Sequence, residues 1–304
     1  MSGVGGGTMG NVICWDVNGL ASFSHPTNAT IQFTYAGNQK LYSETNDPFI
    51  FFNFTVNKAS GILSYFAFAG PYSGKGFAAS CTTLNLTAGE FDTWDGTGSY
   101  GLTVTNTATI AGTLNGKASS VTVGAVIISG TYVATSATTL INSKDASTGY
   151  SFRNNGVFTH NNGTVTVNYN GNTKFGGSTT PTTFYNYNIT GLSAARTYTY
   201  DASRTITIAH DIDWRGNGTG KELKLRSSTP GTQWSLNLGA GSTQDLYYLD
   251  VQDSVALGNT AIALGSIDSG NNINWIFAPG PHPGAGFQKS VFRRTLFDGS
   301  VMYD

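Results

Sequence analysis

Apolar side chains fall at every second position through many short stretches of this chain. Examples are Thr30-Ile31-Gln32-Phe33-Thr34-Tyr35, Gly101-Leu102-Thr103-Val104-Thr105, Thr164-Val165-Thr166-Val167-Asn168-Tyr169 and Thr205-Ile206-Thr207-Ile208. Others are Lys221-Glu222-Leu223-Lys224-Leu225 and Trp234-Ser235-Leu236-Asn237-Leu238. A period of two puts one side of a strand on a core and the other in water. Between these stretches lie Asn115-Gly116, Asn162-Gly163 and Asn170-Gly171, which supply tight turns. Helical periodicity is almost absent. The pattern predicts an all-β chain of many short strands.

The order of the strands repeats. TIQFTYAGNQK, Thr30 to Lys40, aligns with TVTVNYNGNTK, Thr164 to Lys174. PFIFFNFTV, Pro48 to Val56, aligns with PTTFYNYNI, Pro181 to Ile189, and Phe23-Ser24-His25 with Phe158-Thr159-His160. Between the copies, strand signals crowd together from Leu102 to Tyr132. Such runs suit the rungs of a parallel β-solenoid, each coil stacking on the last. Short alternating strands with frequent turns also suit β-sandwich domains. The expected fold is the parallel β-helix, with the sandwich as alternative. The divisions are a Gly-rich arm at 1–15, solenoid halves at 16–150 and 151–277, and a linker with a docking tail at 278–304.

Composition sharpens this. Charged residues are only 11%, which in a chain poor in apolar groups would suggest disorder. Here 39% hydrophobic and 12% aromatic residues supply a core. The net charge of −1 gives no whole-chain basic footprint for a nucleic-acid partner. Two cysteines, Cys14 and Cys81, make no disulfide framework or zinc site and read as buried or free thiols. The first residues have neither a basic region nor an apolar stretch of signal-peptide length, and no run reaches membrane-helix length, so no membrane is expected.

Candidate chemistry is sparse. Carboxylates occur as Asp92 with Asp95, Asp211 with Asp213, and Asp250 with Asp253. Asp211 and Asp213 flank Ile212 in an alternating strand, so they share a face and could meet a polysaccharide as acid and base. The plainer role for all six is capping of turns. No loop has the oxygen density of a calcium site. His25 and His160 occupy equivalent repeat positions, which points to structural work at corners; His210 and His282 suggest no triad. No catalytic residue, metal or cofactor is therefore assigned. In the clusters Phe49, Phe51, Phe52, Phe54 and Phe184, Tyr185, Tyr187, alternate rings should point inward, leaving the others as a contact surface.

The segment FTHNNGTVTVNYNGNT…TTFYNYNITG, Phe158 to Gly191, resembles repeats of large bacterial surface adhesins and bacteriophage virion proteins. LKLRSSTPGTQWSLNL, YYLDVQDSVA and IDSGNNINWIF extend the resemblance to Phe277. It implies a right-handed parallel β-helix and no particular activity. Without an evident export signal, the expected role is a virion structural protein, most simply a capsid decoration or cement protein. The partners would be the major capsid protein or other virion subunits, and sister copies in a homotrimer. Alternatives are a tail spike, fibre or adhesin binding host surface glycans, and a polysaccharide-degrading β-helix enzyme. After Pro279, Pro281 and Pro283, the tail carries Phe287, Phe292, Arg293, Arg294, Leu296, Phe297 and Tyr303 as expected partner contacts. It would dock on a neighbour or fold back over the open end of the solenoid.

Overall fold

A computed structural model describes residues 28–41, 49–65, 78–94, 98–179 and 181–280, and these residues contain strands but no helix. The tail residues Phe287, Phe292, Arg293, Arg294, Leu296, Phe297 and Tyr303, the arm at 1–15, and Cys14, His25, Asp95 and His282 lie outside the described residues. All paired strands run parallel. A sandwich is built from antiparallel strands, so the solenoid is the fold. The only antiparallel contact among the described residues is an isolated bridge between Trp94 and Ser99.

The chain visits three faces in turn. On the first, 121–123 stacks under 139–141, which stacks under 164–167, 186–189, 211–214 and 243–247. On the second, 53–56, 83–86, 108–110, 126–128 and 152–154 stack in order and continue through Phe175, Tyr200 and Ser227. On the third, 39–41, 63–65, 90–92, 113–115, 131–133 and 157–159 form the column. Strands Phe49–Tyr65 and Ala79–Asp92 each run round all three faces. They bend where the pairing register slips, between Val56 and Asn57 and again before Ile62. Strand Tyr150–Asn154 stacks between 126–128 and 174–176, with a register shift between Tyr150 and Phe152.

Alternation decides what enters the core. Strands Thr164–Val167 and Leu223–Ser227 bury every second residue, as the sequence pattern requires. The filling follows coil size. From Val121 the first face is regained at Thr139, and this short coil holds Val121, Val123, Val126, Ile128 and Ile141. From Asp211 it is regained only at Thr243, and the wider section holds Tyr187, Tyr198, Tyr200, Trp214 and Trp234. Tyr200 stacks on Trp234 with centroids 4.2 Å apart. Later coils shorten again and fill with Ala256, Ala261 and Ala263. Close packing demands this match, because a small residue in a wide coil would leave a void.

Two features were invisible to periodicity. At the corner between the second and third faces, Gly112, Gly130 and Gly156 stack so tightly that a Cβ on any of them would meet backbone at 2.4 Å or less. At an earlier corner Lys58, 1% exposed, donates to the carbonyl oxygens of Tyr35 and Gly37 at 2.6 Å and to Gln39 Oε1 at 2.8 Å. Its three protons thereby fasten the loop of the coil below.

The sequence repeat is a structural repeat. Thr30 pairs with Asn53 and Thr164 with Asn186, and in each case the Asn amide donates to the Thr hydroxyl, at 3.3 and 3.1 Å. The copies nevertheless occupy different faces: 53–56 belongs to the second, 186–189 to the first. At the C-terminal end the last coil leaves Ile267, Ile273 and Ile276 exposed beside the half-buried Trp275 and Phe277.

Candidate functional site

The wide coils carry nearly all the surface chemistry, on two adjoining faces. The outer side of the first face is a ladder of polar groups. Its corner holds a stack of rings: Tyr185 lies 5.6 Å from His160 and 4.7 Å from His210, the latter pair within 12° of parallel. The clusters singled out from the sequence divide as alternation requires. Phe51, Phe54, Phe184 and Tyr187 are buried, while Phe52 and Tyr185 lie at the surface side; nothing is described of the Phe49 side chain.

His160 Nδ1 accepts from the Asn162 backbone N–H at 3.0 Å, and burial lowers its pKa, so the ring is neutral at neutral pH. His210 Nδ1 lies 3.1 Å from Asn186 Oδ1 and 3.0 Å from Asp211 Oδ2. The Asp211 carboxylate also accepts from the Thr243 hydroxyl. One step along, Asn188, Asp213 and Asp245 stack in register. Arg215 bridges Asp213 and Asp245 and lies over the Tyr247 ring, 5.3 Å from its centroid.

Asp211 and Asp213 therefore share a face, as expected; Asp211 is held from the next coil by Thr243, and Asp213 by Arg215 of its own strand. Of the other pairs, Asp95 lies outside the described residues, and Asp250 and Asp253 take separate partners. Asp92 accepts from the Trp94 N–H at 2.9 Å and pairs with Lys117 at 3.4 Å; burial nonetheless raises its pKa. Asp250 accepts from Arg226 at 2.7 Å and Ser269 at 2.5 Å. Asp253 takes the Gly231 N–H at 3.1 Å and the Asn271 amide at 2.7 Å. Each of these joins two coils or closes a corner. Among the described residues, no three His, Cys, Asp or Glu side chains gather as metal ligands. Cys81 is buried and free, its pKa pushed by burial up to about 12, which leaves it no thiolate at neutral pH.

The outer side of the second face is basic. Tyr150 is its centre: the Arg153 guanidinium lies 5.1 Å and Lys174 Nζ 5.7 Å from the ring centroid. Its hydroxyl donates to both oxygens of Asp201, at 2.8 and 3.0 Å. Burial and that neighbouring carboxylate push its pKa up to about 12. Further along the same face stand Lys224 and Arg226, while Arg196, in register with the buried Leu223, lies at the start of its strand and donates to the carbonyl oxygens of Asn170 and Ala195. A net charge summed over the whole chain conceals this separation, and only placing the strands on faces brings it out.

No protein-family model, no curated protein and no solved structure matches the chain.

Proposed function

We propose that this chain is a structural protein of a bacteriophage particle, with decoration or cementing of the capsid shell as its role. One observation carries the non-catalytic part of the reading: the carboxylates and aromatic rings that could have formed a reaction centre are used to join coils. Asp211 and Asp250 each bridge neighbouring strands, Asp213 holds the Arg215 that reaches Asp245 on the next coil, and the large rings of the wide coils fill the core. A rod braced in this way transmits load and offers flat, rigid faces to neighbours. The resemblance of Phe158 to Gly191 to virion repeats supports the particle setting. In that setting the partners are the major capsid protein and sister copies in a homotrimer, engaged through the apolar and basic residues of the tail.

The deciding experiment is cryo-electron microscopy of purified source particles, with this chain's density located. Density repeating over the capsid lattice is the expected result. Density confined to the tail would replace the shell role with a receptor-binding spike, and release of oligosaccharides from host polysaccharide by the purified protein would overturn the non-catalytic reading.

A further inference from the structure

We infer that the second face is a docking surface for a linear acidic polysaccharide lying along the solenoid axis. Four successive strands of this face, Tyr150–Asn154, Thr173–Gly176, Arg196–Tyr200 and Leu223–Ser227, each contribute at least one cation. These are Arg153, Lys174, Arg196, and Lys224 with Arg226. The register puts Lys174 and Arg226 in one column with Thr199 between them, and Lys224 beside Thr197 in the next; Arg153 and Arg196 stand opposite Gly176 and Leu223.

Most of this charge is not neutralised within the protein. Arg226 is ion-paired with Asp250 at 2.7 Å. Among the described residues no carboxylate comes within ion-pair distance of Arg153, Lys174, Arg196 or Lys224. The Arg153 Nε is buried with no hydrogen-bond partner. Asp201, the other carboxylate on this face, already accepts from the Tyr150 hydroxyl and the Gly177 N–H. The adjoining first face has the opposite balance, Asp211, Asp213 and Asp245 against Arg215, so an anionic chain is steered to one side of the rod.

Geometry selects the kind of anion. Neighbouring rungs of a parallel sheet lie about 4.8 Å apart, so the four strands span roughly 14 Å. The rung spacing is close to the length of one sugar in an extended polymer, and the carboxylates of an acidic chain would meet Arg153, Lys174 and Lys224 on three of the four rungs. The Thr197 and Thr199 side chains stand between the cations on the outer side, as hydrogen-bonding groups for sugar hydroxyls. A nucleic-acid duplex needs a broader basic footprint than one sheet face offers.

The test uses the full chain and measures binding of polygalacturonate by calorimetry at two salt concentrations, with neutral dextran alongside. Polygalacturonate should bind and weaken as salt rises, while dextran should not bind. The double variant Lys174→Gln/Lys224→Gln should lose about tenfold or more in affinity, with an unchanged β circular-dichroism spectrum. Lys117→Gln, which removes a cation from a different corner, should bind like the native protein. Absence of polygalacturonate binding, or native affinity in the double variant, would overturn the inference. So would equally tight binding of oligothymidylate, which would reduce the face to a site for any polyanion. None of these outcomes bears on where the chain sits in a particle, so this inference and the shell role fail separately.

Discussion

The Gly112–Gly130–Gly156 corner predicts a large penalty for one methyl group. A Cβ on Gly130 would lie 2.2 Å from the carbonyl oxygens of both Ala111 and Gly112, and 2.5 Å from the Ala111 carbonyl carbon. These are backbone atoms and cannot turn aside as a side chain could. Relief requires the two coils to part by about an ångström, and the bonds that hold them oppose this. Ser129 N and Gly130 N both donate to Ile110 O at 2.8 Å, and Thr131 N to Gly112 O at 2.8 Å. Overpacking alone costs about 1–3 kcal/mol, and weakening two of those bonds adds about 1 kcal/mol each. Gly130→Ala should therefore destabilise by about 3–5 kcal/mol. Gly231→Ala is the comparison. Its φ of +83° is left-handed but no atom lies within 4 Å of the added Cβ, so the cost is the conformational 1–2 kcal/mol or so. Urea unfolding followed by fluorescence of the buried Trp214 and Trp234 measures both. Equal stability of the two variants, or a milder effect at Gly130, would refute the claim that close approach of coils governs this corner.

Three further outcomes follow from single side chains. Burial works against the charge of Asp145, yet hydrogen bonds from Thr148, Ser147 and Thr107 outweigh it and hold the pKa at about 2. A depressed folded-state pKa gives stability that is present above the unfolded value of about 4 and lost as pH falls towards 2; denaturation at stepped pH should show this loss, smaller in Asp145→Asn. The hydroxyls of Tyr187 and Tyr200 are near enough to interact but do not meet hydrogen-bond geometry, and each is buried without a partner. Tyr187→Phe should accordingly change stability by less than about 0.5 kcal/mol or raise it, and a clear loss in urea unfolding would show that the hydroxyl is satisfied. Lys58→Met leaves three oxygens without their donor and should cost about 2 kcal/mol, read as an earlier unfolding midpoint.

The strands were legible because side-chain alternation is a local property. Thr164–Val167 and Trp234–Leu238 bury the residues that their spacing assigns. The corners were not legible, since they depend on what the neighbouring coil places against them. Nothing near Gly130 in sequence announces Ala111 O, and nothing near Lys58 announces Tyr35 O. Variation in coil length hides the period as well: the step from Val121 to Thr139 and that from Asp211 to Thr243 are rungs of one column but differ widely in length. The acidic pair Asp211 and Asp213 could be placed on one side by alternation alone. The cations Arg153, Lys174 and Lys224 could not, because their common face emerges only when separate strands are put in register.

The two copies of the repeat sit on different faces, and that has a directional consequence. Whatever duplicated this unit moved it around the shaft as well as along it, so equivalent positions such as Phe52 and Tyr185 look out along different bearings. A flat neighbour can touch one copy at a time; a neighbour that grips both must wind about the rod. The molecule therefore offers the same short text twice, facing two ways, and could bridge two surfaces that a simple translational repeat would leave on one side.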